Sequence, residues 1–150
     1  MSKWTDHVEW RRLYEGEWCP ICDSTRLVGT PLGTIVEMDT GYLTTRRDQP
    51  VRGYCCLVLK RHAAELHDLE EDEAGGSMKD MRRVGPVLKN VTGAVKMNLE
   101  IHGNTIPHPH VHFFPRYARD RFEGGLWPPE MPANELEEFA ARLRTVLAEG

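Results

Sequence analysis

The 150-residue chain has no run of 18 or more apolar residues, so no segment is long enough to span a bilayer as a helix. Its amino terminus, MSKWTDHVEWRRLYEG, is polar and lacks the apolar core of a secretory signal. Internal repeats and low-complexity tracts are missing too. So is an excess of basic charge: 19 Lys and Arg stand against 23 Asp and Glu, a formal charge of -4. That balance argues against a general nucleic-acid-coating surface, although it is compatible with a local basic pocket. Cysteine is scarce. Of the four, Cys55 and Cys56 are adjacent in an apolar run and point to opposite faces of a strand, which keeps them from bridging. The other two form WCPIC, and the Cys19–Cys22 spacing in a reducing compartment signals a metal or redox pair before a structural disulfide. Together these features predict a cytoplasmic protein with no membrane or nucleic-acid partner. The length fits one domain, 1–150, with a buried core.

What is present reads as an α+β domain. Residues 4–15 place Trp4, Val8 and Leu13 at near-helical spacing, with Thr5 or Asp6 as cap and Gly16 as stop. Three extended segments follow at 34–39, 42–46 and 53–61, and Asp39-Thr40-Gly41 turns the first two into a hairpin. The third, GYCCLVLKR, is almost continuously apolar and predicts a central strand covered on both sides. Over 70–97, Met78, Met81, Val84, Val87, Leu88, Val91 and Val95 trace one stripe of a long helix behind an acidic start, with Pro86 expected to kink it. Residues 97–102 alternate as a strand, the loop GNTIP follows, and HVHFFP is another strand. A terminal helix starts at Asn134 with Glu137 in capping-box position; Leu136, Phe139, Ala140, Leu143 and Leu147 form its apolar face. The expected architecture is an antiparallel sheet of about five strands with one long helix and a C-terminal helix packed on it.

Chemistry concentrates in IPHPHVHFFPRY, residues 106–117, where three of the chain's seven histidines alternate. On a strand, alternate residues face one side at a spacing of roughly 7 Å. His108, His110 and His112 would then share a face, opposite Pro109, Val111 and Phe113. Two chemistries suit such a row. One is a zinc site supplied by a single strand. The other is nucleophilic: a neutral imidazole attacks phosphorus and forms a labile N–P adduct, which divides one hard transfer into two easier ones. In that case a neighbouring histidine binds phosphate oxygens or protonates the departing group, and Arg116 neutralises further charge.

HPHVHFFPRY resembles the signature of the histidine triad family of nucleotide hydrolases and transferases, His-x-His-x-His followed by two apolar residues. NLEIHGNTIP is similar to that family's Asn-containing strand and polar turn, and GYCCLVLKRH to its central strand and corner histidine. The resemblance spans a core of about residues 17–117, leaving 118–150 as a C-terminal loop and helix. It implies a nucleotide-binding hydrolase of phosphoanhydride or phosphoramidate bonds, with dinucleoside polyphosphates or nucleoside phosphoramidates as substrates and purines favoured. It makes His110 the nucleophile, the His108 carbonyl its orienting partner, and His112 the residue that contacts the α-phosphate and assists departure. Asn98, Asn104 and Thr105 fall on substrate-binding positions. Its zinc-containing bacterial branch matches Cys19, Cys22, His62 and His108 as a closed structural Cys₂His₂ site. No catalytic metal is implied, although Mg²⁺ can accompany a polyphosphate, and a homodimer is expected. Two other readings use the same residues: a zinc metallohydrolase with the histidine row as ligands, and a non-catalytic nucleotide sensor.

The chain also departs from that pattern. Where an acidic residue commonly meets the ribose, it has Arg46 and Arg47 with Asp48 displaced, so either Asp48 serves through a shifted turn or the sugar is held differently. The arginine pair reads first as a solvated edge. Pro109 lacks an N–H and predicts a strand that is bulged or open to solvent there. His67 reads as a solvated side chain, and Trp127 with Arg119 and Arg121 as a candidate cover for the departing group.

Overall fold

In the computed structural model, which describes residues 6–121 and 131–149, the extended segments pair into one sheet. They are β1 (Thr34–Glu37), β2 (Gly41–Thr44), β3 (Cys55–Leu59), β4 (Lys96–Glu100) and β5 (His110–Arg116). The order is β1-β2-β3-β5-β4, with every neighbouring pair antiparallel. β3 lies in the middle and is buried at all of its positions, as its unbroken apolar composition requires. The helices are α1 (His7–Tyr14), α2 (Pro20–Val28), α3 (Glu71–Thr92) and α4 (Ala133–Glu149).

One face of the sheet carries the main core. Cys55 and Leu57 of β3 and Val111 and Phe113 of β5 pack against Met81, Val84 and Leu88 of α3 and against Phe139, Leu143 and Leu147 of α4. The opposite face holds a smaller cluster of Val51, Tyr54, Cys56 and Val58, with Ile21 of α2 and Phe114 against it. Cys55 and Cys56 therefore do serve different faces, and all four cysteines are free thiols. No described helix is long and apolar enough to cross a membrane.

Local chemistry sets the ends of these elements. Asp6 caps α1 by accepting from the Val8 and Glu9 N–H groups at 3.2 and 3.0 Å. Thr5, the alternative cap, and Trp4 lie outside the described residues, as does Trp127. The Cys19–Cys22 segment opens a helix: Cys19 takes the N-cap position of α2 without a side-chain bond, and Pro20 at the first helical position is preset for the helix. α3 ends at Gly93, which takes φ 71, rather than running to 97, so Val95 lies outside it and is exposed. The helix continues through Pro86, and its buried stripe is Ser77, Asp80, Met81, Val84 and Leu88, while Met78 is exposed. α4 begins one residue earlier than expected. Its first backbone bond runs from Leu136 N–H to the Pro132 carbonyl, so Asn134 sits inside the helix and does not cap it.

α3 is fastened to the β1–β2 hairpin by the fully buried Asp80, whose Oδ2 accepts from the Thr40 N–H at 2.8 Å and the Thr40 hydroxyl at 2.7 Å. Close approach there depends on Gly76, where an added Cβ would lie 2.6 Å from the Thr40 methyl. Removing the carboxylate strands two donors at the hairpin turn. Asp80→Ala is expected to lower stability by about 1–3 kcal/mol in urea unfolding.

Candidate active site and metal cluster

Alternation along β5 buries Val111, Phe113 and Pro115 and leaves His110, His112 and Phe114 half-buried on the other face. The β4–β5 register puts Asn98 opposite Phe114 and Glu100 opposite His112. Directly paired residues project to the same side. Asn98 and Glu100 therefore join the two histidines on one face.

His108 behaves differently from the other two. It precedes the strand, is buried, and sends its ring to another site. The β3–β5 register carries Pro109 opposite Leu59, and the Leu59 N–H donates to the Pro109 carbonyl at 2.9 Å. A regular antiparallel pair would return a bond from residue 109 to the Leu59 carbonyl. Proline has no N–H to return. His108 Nε2 occupies the vacant acceptor at 2.7 Å. A carbonyl only accepts, so the ring proton is on Nε2, and the Nδ1 lone pair meets Cys19 Sγ and Cys22 Sγ, each at 3.6 Å. Pro109 is thus buried at the mouth of the strand, which is neither bulged nor open to solvent at that point.

Cys19, Cys22, His62 and His108 are the only group of metal-binding side chains among the described residues, with all ligand atoms within 4.8 Å of one another. A sulfur and a nitrogen on one tetrahedral zinc, with bonds of about 2.3 and 2.05 Å, stand about 3.6 Å apart. The two His108 distances match that value, and Cys22 Sγ lies 3.9 Å from His62 Nδ1. His62 Nε2 is buried with no partner among the described residues. Burial holds His108 down at about 4, so its ring is neutral and able to ligate. Burial, and then the neighbouring Cys19, push the Cys22 thiol up to about 11, a penalty that a divalent cation offsets. The donor set and its spacing fit a closed tetrahedral ion. Gly16 makes room for the His62 ring: an added Cβ would stand 3.0 Å from it.

His110 and His112 stand outside that cluster. His110 Nδ1 lies 2.6 Å from the His108 carbonyl, which again only accepts. The proton is therefore on Nδ1, and the Nε2 lone pair has no hydrogen-bond partner among the described residues. Burial lowers the affinity of His110 for a second proton. His112 Nδ1 lies 2.6 Å from the Tyr54 hydroxyl. Burial raises the Tyr54 phenol well above its ordinary range, so it keeps its proton and donates. Burial, and then the neighbouring His110 and His102, lower His112 to about 4. His112 is thus neutral with its hydrogen on Nε2. The two rings meet edge-on with centroids 4.7 Å apart.

Other candidates fall at different places. Asn104 and Thr105 are exposed in the loop before β5. Asp48 is paired with Arg46 on an exposed edge, its Oδ1 2.8 Å from Nε, so its carboxylate is already engaged. Arg47 and His67 are exposed as well. Arg116 is bound by the buried Asp120 at 2.5 and 2.9 Å, which ties its charge to the end of β5. Sequence reasoning missed Tyr54, Glu100 and His102. Tyr54 could have been found as the residue that opens the central strand on the histidine face, but the link depends on β3–β5 register.

The family model for the HIT domain matches residues 32–119, more than half of the chain. The protein belongs to the HIT family. It is 32% identical over 88 residues to the asymmetrical bis(5'-nucleosyl)-tetraphosphatase of Schizosaccharomyces pombe, an alignment covering 55% of this chain and 48% of that protein. The chain thus spans about half the length of that curated relative. Among solved structures, a histidine triad protein from Bradyrhizobium japonicum is 28% identical with a TM-score of 0.64, covering 76% of this chain and 89% of that one. A zinc-bound histidine triad family protein from Mycobacterium smegmatis shares the fold, with 22% identity, a TM-score of 0.67, and coverage of 89% and 95%.

The burial of His112 predicts an NMR titration midpoint near 4, below the ordinary 6.5. The unfolded chain takes up that proton first, so the ring withdraws stability as pH falls from about 6.5 towards 4. A midpoint above 6 would contradict the neutral-ring assignment.

Proposed function

We propose that the chain hydrolyses nucleoside 5'-phosphoanhydrides or phosphoramidates through a nucleotidyl-histidine at His110. The observation that carries this reading is the bond from His110 Nδ1 to the His108 carbonyl, because it puts the proton on Nδ1 and leaves the Nε2 lone pair without a hydrogen-bond partner among the described residues. A neutral, oriented imidazole is the form that attacks phosphorus. In the first step Nε2 bonds to the α-phosphorus as the bond to the departing group breaks. In the second, water displaces the ring and releases a nucleoside monophosphate.

His112 offers its Nε2 hydrogen to an α-phosphate oxygen while Tyr54 fixes the tautomer. Asn98, on the same face, and Asn104 and Thr105, in the exposed loop before β5, are placed on the substrate side in this reading. The likeness to a bis(5'-nucleosyl)-tetraphosphatase supports substrates in which a nucleotide is joined to a second phosphorylated group. Among the described residues His110 and His112 do not contribute to the metal-binding group, which favours this route over a metallohydrolase.

Cys19, Cys22, His62 and His108 hold a structural zinc in this proposal, tying α2 and the corner after β3 to the segment that carries the nucleophile. The protein also pairs as a homodimer: β4 is a sheet edge, and Leu99 and Val95 beside it are exposed, as is Met78 of α3.

Rapid quenching with an adenylated amine or a dinucleoside polyphosphate, followed by intact-mass measurement, tests the mechanism. A nucleoside monophosphate mass on the peptide spanning 106–117 is expected in the wild type. His110→Asn should lose at least about a thousandfold in turnover while still binding nucleotide. Nucleotide binding without adduct in the wild type would instead identify a sensor.

Metal analysis should find one zinc per chain, and substoichiometric zinc in Cys22→Ser. Chelation should lower the melting temperature, and cadmium in the site should leave turnover intact.

A further inference from the structure

Beside His110 stands a histidine, paired with a carboxylate, that the proposed reaction leaves unused. Glu100, the last residue of β4, pairs with His112 and shares its face. His102 follows two residues later with the same parity, so continued pairing would set it opposite His110. His102 Nε2 lies 2.8 Å from Glu100 Oε2, and its ring centroid is 5.4 Å from that of His112. With His110 and Gly103 it lines a cavity of about 120 Å3 next to the nucleophile. Among the described residues Glu100 is its only hydrogen-bond partner, which leaves Nδ1 free.

The first step needs a proton wherever the departing group is an amine or an alkoxide. His112 is poorly suited to give it. Its Nδ1 is taken by Tyr54 and its ring is neutral, so donating from Nε2 requires either an imidazolate or loss of the proton of the buried phenol. Hydrogen bonding to a phosphate oxygen suits that ring, and proton transfer does not. His102 differs in its surroundings. It is about half exposed, so solvent can reload it, and the Glu100 carboxylate balances the charge of its protonated form.

Building on the nucleotidyl-histidine reading, we propose that His102 is the acid that protonates the departing group, its ring held in place by Glu100. His110 Nε2 forms a bond to phosphorus, the bond from phosphorus to the departing atom breaks, and the electron pair of that bond takes the proton from His102 Nδ1. His102 is then neutral. Water attacks the adduct and loses a proton to solvent as the bond from phosphorus to Nε2 breaks, and His102 regains its own proton from solvent. The pair marks the chain for departing groups too basic to leave unprotonated, and amines most of all.

The test compares two substrates of one nucleoside. In an alkylamine phosphoramidate the departing amine must be protonated; in a 4-nitrophenyl phosphodiester the phenolate leaves without help. His102→Ala should slow the phosphoramidate by about 10²–10⁴-fold and leave the nitrophenyl ester within about threefold. His102→Gln, which retains a donor for Glu100, should behave like His102→Ala. Equal losses on both substrates, no loss on either, or restoration by glutamine would each overturn the assignment. His110→Ala separates the two layers, because it should abolish both reactions. Should the nitrophenyl ester survive that change, or should the wild-type chain turn over neither substrate, the covalent reading itself fails and the role of His102 with it.

Discussion

The site depends on a single residue that is used from both of its ends. The ring of His108 is held by the Leu59 carbonyl with its lone pair towards two sulfurs, while its own carbonyl holds the His110 ring by the opposite nitrogen. Each bond fixes a tautomer, and the two tautomers are different. His108 carries its proton on Nε2 and exposes Nδ1; His110 carries its proton on Nδ1 and exposes Nε2. One histidine thereby turns its lone pair to the two sulfurs, and its neighbour keeps one on the open face of the sheet. Pro109, between them, makes the first bond available by having no N–H to offer the Leu59 carbonyl.

The sheet separates stability from chemistry. Its helix-covered face is a conventional apolar core, with Phe113, Leu57, Val84, Leu88 and Leu143 buried completely or nearly so. Its other face carries a smaller cluster around Tyr54 and Cys56, and the rings of His110 and His112 stand on that platform. Rigid strands aim those rings better than a loop does, because the residues between them are locked in the opposite core. Partial burial has a second effect. It keeps His110 and His112 neutral, the form in which one can attack phosphorus and the other can donate to a phosphate oxygen.

Much of this was legible in the residue order. Apolar patterning located all five strands, the long helix and the terminal helix, and CPIC marked a close thiol pair, of metal or redox type, which the fold gathers with His62 and His108. The errors came where a distant contact decides. The short helix α2 is hidden in the residue pattern because its first turn is dominated by the two cysteines and a proline. Asn134 has the chemistry of a cap, yet the helix starts earlier by way of the Pro132 carbonyl. Pro109 was expected to open or bulge the strand, and is buried because its missing donor is replaced by a ring two bonds of logic away, on the residue before it. Asp48 and Arg116 each look available for substrate in the chain, but pairing with Arg46 and Asp120 takes up both charges.

Sequence alone determined which residues could alternate on a strand, which faces must be apolar, and where the imidazoles and thiols lie along the chain, because those follow from backbone periodicity and side-chain chemistry. Only the tertiary structure decided which ring nitrogen carries each proton and how the His108 ring turns out of the row to reach the cysteines. It also brought Tyr54, Glu100 and His102 to the same face. Those outcomes depend on strand register and on carbonyl groups contributed by other strands, and no local pattern of residues encodes either.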